Sequence, residues 1–261
     1  SNKDFFSDVS KIQEFKNLVK TLALTAGIAV SFSSHATFLD FQIDETPYGG
    51  EVITADKLNG GFKEVITFDE EGNFTANAFA TMGQLFDNDG GDNLGRDSTI
   101  GSNYTMYAIF SATGTVTPTG SDEGLIAELN ASQGGFQLYL DRNYDTEASD
   151  SLVLSNNEDD LLLGESTRIG ENVALIYGFG GVYDFMFFDF ELTENGDSYF
   201  VSPSPFYTYV SVDGDFDTFP LEGEQFVTGD VSAVFVPEPS TLAVLGLGLL
   251  GLGATSRRKA K

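Results

Sequence analysis

The chain has 261 residues, 40 of them acidic and 13 basic, for a formal net charge of −27, with no cysteine and a single histidine, His35. Without cysteine there is no disulfide, thiolate nucleophile or cysteine-ligated zinc, and once the N-terminal segment carrying His35 is removed, histidine-based triads, general bases and zinc sites are excluded too. The acidic excess repels nucleic acid and anionic lipid and suits divalent cations or neutral and cationic polymers.

Lys11, Lys16 and Lys20 precede an apolar stretch, Leu22 to Phe32, that ends in Ser34-His35-Ala36. A charged region, an apolar region of about ten residues and small residues before a cut are the order of a secretory signal peptide. Residues 1–36 are therefore expected to form a signal helix cleaved between Ala36 and Thr37. Of the charged residues, 36 acidic and only five basic ones (Lys57, Lys63, Arg96, Arg142, Arg168) lie between Thr37 and Pro237, a net charge of −31 for the exported part.

From Thr37 onward, β-branched and aromatic runs alternate with turn residues, and no sustained 3.6-residue period is present before the tail. Expected strands are Val52 to Ala55, Lys63 to Phe68 after a break at Asn59-Gly60-Gly61, and Phe74 to Phe86 after a turn at Asp69 to Asn73. Tyr104 to Val116, Phe136 to Leu140 and Val173 to Tyr177 follow, the last leading into a glycine-rich bend at residues 178–181. Leu125 to Leu129 and Leu161 to Leu163 are ambiguous. Glu194-Asn195-Gly196-Asp197 reads as a type I′ hairpin between Tyr183 to Leu192 and Ser198 to Val201, because an Asn-Gly step supplies two positive φ angles. Ser202-Pro203-Ser204-Pro205 reads as a rigid turn, and Phe206 to Val212 and Phe226 to Val236 complete ten to thirteen strands. One all-β domain over residues 37–236 is expected, a two-sheet β-sandwich or jelly-roll-like fold, with Phe185, Phe187, Phe188 and Phe190 in its core.

Two acidic clusters stand out. Asp87-Asn88-Asp89-Gly90-Gly91-Asp92-Asn93 offers oxygen donors around two glycines, so Asp87, Asp89 and Asp92 are calcium candidates; an acidic surface turn is the plainer alternative. Asp213-Gly214-Asp215-Phe216-Asp217, with Glu224, has EF-hand-like spacing, but Thr218 stands where glycine is required and Pro220 interrupts the loop, so it is not an EF-hand.

The last segment, residues 237–261, has three parts: Pro237-Glu238-Pro239, an apolar block from Thr241 to Ala254 with four glycines, and a basic end with Arg257, Arg258, Lys259 and Lys261. The block makes a helix of about 21 Å, long enough with its flanks to cross a thinned bilayer, and the glycines suit a membrane helix better than a soluble one. The basic end stays on the cytoplasmic side. VPEPSTLAVLGLGLLGLGATSRRKA resembles the PEP-CTERM sorting signal of Gram-negative bacteria that make exopolysaccharide. The resemblance implies export across the inner membrane, a transient membrane anchor, processing near Pro237-Glu238-Pro239 by an exosortase, and a final place on the cell surface or in the matrix. The stretches YTMYAIFSATGTV (104–116), FMFFDFELTENGDSYFVSPSPFY (185–207) and GDVSAVFVPEPSTLAVLG (229–246) are also similar to flocculation-associated PEP-CTERM proteins. That likeness implies a non-enzymatic role with exopolysaccharide in flocs or biofilm, and transfers no catalytic residues. A calcium- or carbohydrate-binding module without an aggregation role, or a carboxylate-dependent glycosidase, are the alternatives.

Overall fold

The computed structural model describes residues 38–119 and 124–237. The expected signal peptide with its Ala36–Thr37 cut, the rest of the sorting signal from Glu238 and Pro239 to Arg257 and Arg258, and its membrane helix lie outside the described residues.

In chain order the strands are β1 (Phe41–Asp44), β2 (Val52–Ala55), β3 (Lys57–Phe68), β4 (Asn73–Thr81), β5 (Gln84–Asp87), β6 (Asp92–Asn93), β7 (Thr105–Pro118) and β8 (Leu125–Asp141). They continue with β9 (Glu147–Ala148), β10 (Leu154–Ser155), β11 (Leu161–Ser166), β12 (Arg168–Tyr177), β13 (Gly180–Phe188) and β14 (Glu191–Leu192). A short helix, α1 (Glu194–Tyr199), precedes β15 (Phe200–Ser202), β16 (Tyr209–Phe216) and β17 (Gly223–Val236).

Eight of these strands form a closed ring in the order β3-β4-β7-β8-β12-β13-β16-β17, each antiparallel to the next. The last strand returns to the first along a continuous register from Gly223↔Phe68 to Ala233↔Leu58. The fold is therefore an up-and-down β-barrel, not the two-sheet sandwich expected from the sequence. Alternating strands with one apolar face satisfy either architecture; what decides is the long-range closure of β17 on β3 and of β12 on β8, neither of which is local.

The inner faces carry the core. On β4 the exposed side chains Asn73, Thr75 and Asn77 alternate with buried Phe74, Ala76 and Ala78, and on β17 exposed Glu224, Thr228 and Asp230 alternate with inward Val227, Gly229 and Val231. A polar outside and an apolar inside are the reverse of a barrel that spans a membrane with its strands. Three inward glycines, Gly181, Gly214 and Gly229, are each covered by an aromatic ring, from Phe216, Tyr183 and Phe62. At Gly229 a Cβ would lie 1.9 Å from the Asp215 carbonyl oxygen and 2.8 Å from the Phe62 ring, so only glycine allows the strands and the ring to meet there.

One end of the barrel is capped. The β15-β1-β2 sheet and α1 sit over it, and Phe41, Phe200 and Phe206 pack their rings against Phe235 of β17 at 5.3, 5.4 and 5.0 Å. Buried Glu45 ties the cap down by accepting hydrogen bonds from the Ser98 and Tyr104 hydroxyls and the Thr99 amide. At the other end Phe219, from the loop joining β16 and β17, stacks on Phe68 and packs at a tilt against Phe216.

Several local expectations change. Glu194 to Asp197 is not a hairpin turn but the start of α1, capped by Thr193, whose hydroxyl accepts from the Gly196 amide at 3.2 Å. Gly196 is held against the Leu163 carbonyl, 1.8 Å from where a Cβ would be, so its lack of a side chain serves packing. Asn59-Gly60-Gly61 does not interrupt a strand; β3 runs through it and bends, pairing with β5 before the glycines and with β4 after them. Phe188 faces out, beneath the Arg168 guanidinium, while Phe187 and Phe190 are buried. The turn at Asp69 to Asn73 forms as expected, with the Asp69 carboxylate accepting from the amides of Glu71 and Asn73.

Candidate functional site

A concavity of about 670 Å³ on the outer wall lies where β3 bends away from β4 at Gly60-Gly61. Thr81, at the end of β4, bridges the split: its hydroxyl accepts from the Gly61 amide and donates to the Gly61 carbonyl, both at 3.1 Å. β16 and β17 form the far wall. Their register sets polar side chains in rows across the strands, one row being Asp184, Asp213, Ser232 and Asn59 on β13, β16, β17 and β3. The Ser232 hydroxyl donates to the Asn59 side-chain oxygen. In the next row Asp215 and Asp230 oppose each other directly.

Like charges directly across a ladder are destabilising, and the row shows it. Partial burial and then the neighbouring Asp184 hold the Asp213 carboxyl above its ordinary range, while Lys57 pulls it back down. Asp184 is raised by partial burial and by Glu171. Asp213, Asp215 and Asp230 nevertheless remain exposed as acceptors at the groove.

The near wall is aromatic. The Tyr107 ring lies between Phe79 and Tyr139, each at 5.1 Å, and its hydroxyl donates to Asp160 at 2.7 Å. Buried Asp141 accepts from the amides of Asn143, Asp145 and Thr146 and so folds the following loop around its carboxylate. That loop holds Tyr144 in a left-handed conformation, φ 58°, with its side chain out at the groove. A stripe of carboxylates, a hydroxyl and an amide opposite an exposed phenol ring can accept from hydroxyl groups and pack against an apolar ring face.

The 87–93 segment is the β5–β6 hairpin. Asp87 pairs with Asp92, Asn88 and Asp89 take left-handed φ angles, and the Asn88 amide group donates to Asp92. The hairpin is docked by buried Asp56, which accepts from the Gly90 amide, and by the Lys57 ammonium, which donates to the Gly90 carbonyl. Among the described residues no three acidic or histidine side chains are placed to hold a metal ion.

At the capped end β17 leads without a linker into Pro237. Phe235 is fully buried and Val236 still pairs with Tyr209. Comparison with protein families matches this same edge, a PEP-CTERM protein-sorting motif over residues 235–259. The chain carries an exosortase sorting signal. It is thereby marked for export, for transient anchoring in the membrane through its C-terminus and for processing by an exosortase, with a cell-surface fate. The match includes Pro237 to Pro239 and both arginines, and it starts inside the last barrel strand. No curated protein and no solved structure matches the chain. Among the described residues no helix is long and apolar enough to cross a membrane.

Sequence reasoning found the sorting motif but not the groove. Its members are scattered over seven strands and the loops beside them, and only register brings them together. Asp213 and Asp215 were noticed as part of a turn-like cluster; they are strand residues whose alternation places both on the outer face.

Proposed function

We propose that the barrel is a non-enzymatic cell-surface or matrix protein that binds exopolysaccharide along its outer groove and so helps to hold cells in flocs or biofilm. The observation that carries this reading is the row of Asp213, Ser232 and Asn59 facing exposed Tyr144. Vicinal hydroxyls of a sugar donate to such carboxylates, and a phenol ring covers a sugar's apolar face. The net acidity directs the site to a neutral or amine-bearing polymer rather than an anionic one. Binding rather than turnover fits an open wall, where no element closes over the carboxylates to exclude water.

The test is calorimetry of the full chain against the polysaccharide of the producing cells. Saturable binding, weakened at least about tenfold by Asp213→Asn with Asp215→Asn and by Tyr144→Ala, is expected, each lost contact being worth on the order of 1 kcal/mol or more. Undiminished binding by these variants, or none by the parent chain, would overturn the reading.

A further inference from the structure

The barrel's interior is not filled. A cavity of about 70 Å³ lies between the capped end and the Phe219 end, and all eight ring strands contribute to its wall. At about 10–15 Å³ for each water-sized occupant, it has room for about five non-hydrogen atoms. The wall is aliphatic and aromatic, with Phe62, Ile66, Phe110, Phe185 and Val212 among its members, and it includes no lysine, arginine or histidine.

One carboxyl breaks this surface. Glu64 sits on the inner face of β3 between Phe62 and Ile66, lines the cavity, and has no side-chain hydrogen bond or ion pair. Its side chain is partly covered by protein, and it lines the cavity. Burial holds its carboxyl at about 7, so near neutral pH it is poised between a proton and a charge. Neighbouring donors are engaged elsewhere. The Tyr183 hydroxyl donates elsewhere, to the Asp230 carbonyl, and Lys57 and Lys63 are engaged outside the lumen with Gly90 and Ala148. A buried carboxylate without a partner is costly, and an ammonium group is the occupant that neutralises it and donates to it at once.

We propose that the lumen is a binding site for a small aliphatic amine, a primary ammonium on a chain of three or four carbons, with Glu64 as its counter-ion and the aromatic wall around its alkyl part. This site is separate from the outer groove and does not depend on what the groove binds. Phe219, whose ring packs against Phe68 and Phe216, lines the cavity at the end away from the cap.

The experiment is a calorimetric titration of the full chain at pH 8.5 in 150 mM salt with n-butylammonium and, separately, with n-butanol. One saturable site for the ammonium is expected, at least tenfold weaker in Glu64→Gln and weaker in the parent chain as the pH falls through about 7. The alcohol should bind the parent and Glu64→Gln with similar affinity. If Glu64→Gln does not fold, Glu64→Asp, which keeps the charge, should retain the preference for ammonium over alcohol. Equal binding of both ligands to the parent chain, ammonium binding that survives Glu64→Gln and so belongs to surface carboxylates, or no binding of the ammonium would each overturn the proposal.

Discussion

Glu64 gives the barrel a pH dependence whose sign follows from its two pKa values. In the unfolded chain its carboxyl titrates near 4.5 and in the barrel at about 7. Below both values it is protonated in both states and costs nothing. Between them the folded state holds the extra proton, so stability falls as pH rises, and above about 7 the loss is complete. The span corresponds to about 3 kcal/mol. Urea denaturation at pH 4 and pH 8 should therefore show Glu64→Gln gaining about 3 kcal/mol on the parent chain over that interval. Asp184 and Asp213, also raised, act in the same direction but are present in both proteins and cancel. Parallel stability curves for the two would refute the assignment. A second residue-scale prediction concerns Gly229. Gly229→Ala must push the Asp215 carbonyl and the Phe62 ring apart, for a loss of about 3 kcal/mol by chemical denaturation. Gly178→Ala, with nothing within 4 Å of the added methyl, should change stability by less than about 0.5 kcal/mol.

At the scale of elements, the weak point of the barrel is the seam between β8 and β12. β8 pairs with β12 only through Leu125 to Leu129 and then with β11 from Phe136 to Leu140, so the two ring strands diverge midway. Asn172 fills the gap in the ladder: its side chain accepts from the Ala131 amide at 2.6 Å and donates to the Ala131 carbonyl at 2.9 Å. Asn172→Ala leaves the Ala131 amide and carbonyl without these partners and should cost about 2 kcal/mol, with amide exchange at Ala131 and Asn130 accelerated before that of β3 and β17. Unchanged exchange at the seam would remove Asn172 from this role. Helix α1 offers a comparison of two causes. Thr193→Ala removes the cap bond from the Gly196 amide and the bond that the hydroxyl donates to the Leu162 carbonyl, about 2 kcal/mol together, whereas Gly196→Ala collides with the Leu163 carbonyl and should cost more. The same elements mark where the sequence was readable. Turns made by side chains next to their own backbone, such as Asp69 to Asn73, were legible. Asn195-Gly196 was misread because hairpin chemistry and a buried glycine look alike until Leu163, more than thirty positions earlier, is placed beside it.

For the whole molecule, the all-β character and the sorting tail were plain in the sequence, the first from two-residue alternation and the second from a contiguous motif. The barrel was not, since strand alternation defines an inside and an outside without saying whether two sheets or one ring encloses the inside. Glu64 left one trace, a charge at an inward position of Phe62-Lys63-Glu64-Val65-Ile66, which acquires meaning only once the lumen exists. Phe41 packs on Phe235, so the chain enters and leaves the barrel at the same capped end. The sorting motif begins within β17, and Phe235 belongs to the core that three cap aromatics share. Processing thus has no slack on the barrel side: a cut before Val236 removes a paired strand end, and a cut after Pro239 keeps β17 whole. The most direct test is the intact mass of the protein recovered from the surface or medium of the producing cells. A C-terminus within residues 237–239, with β17 whole through Val236, is the predicted result. A mature chain that still carries residues 240–261, or one that ends inside β17, would contradict the account.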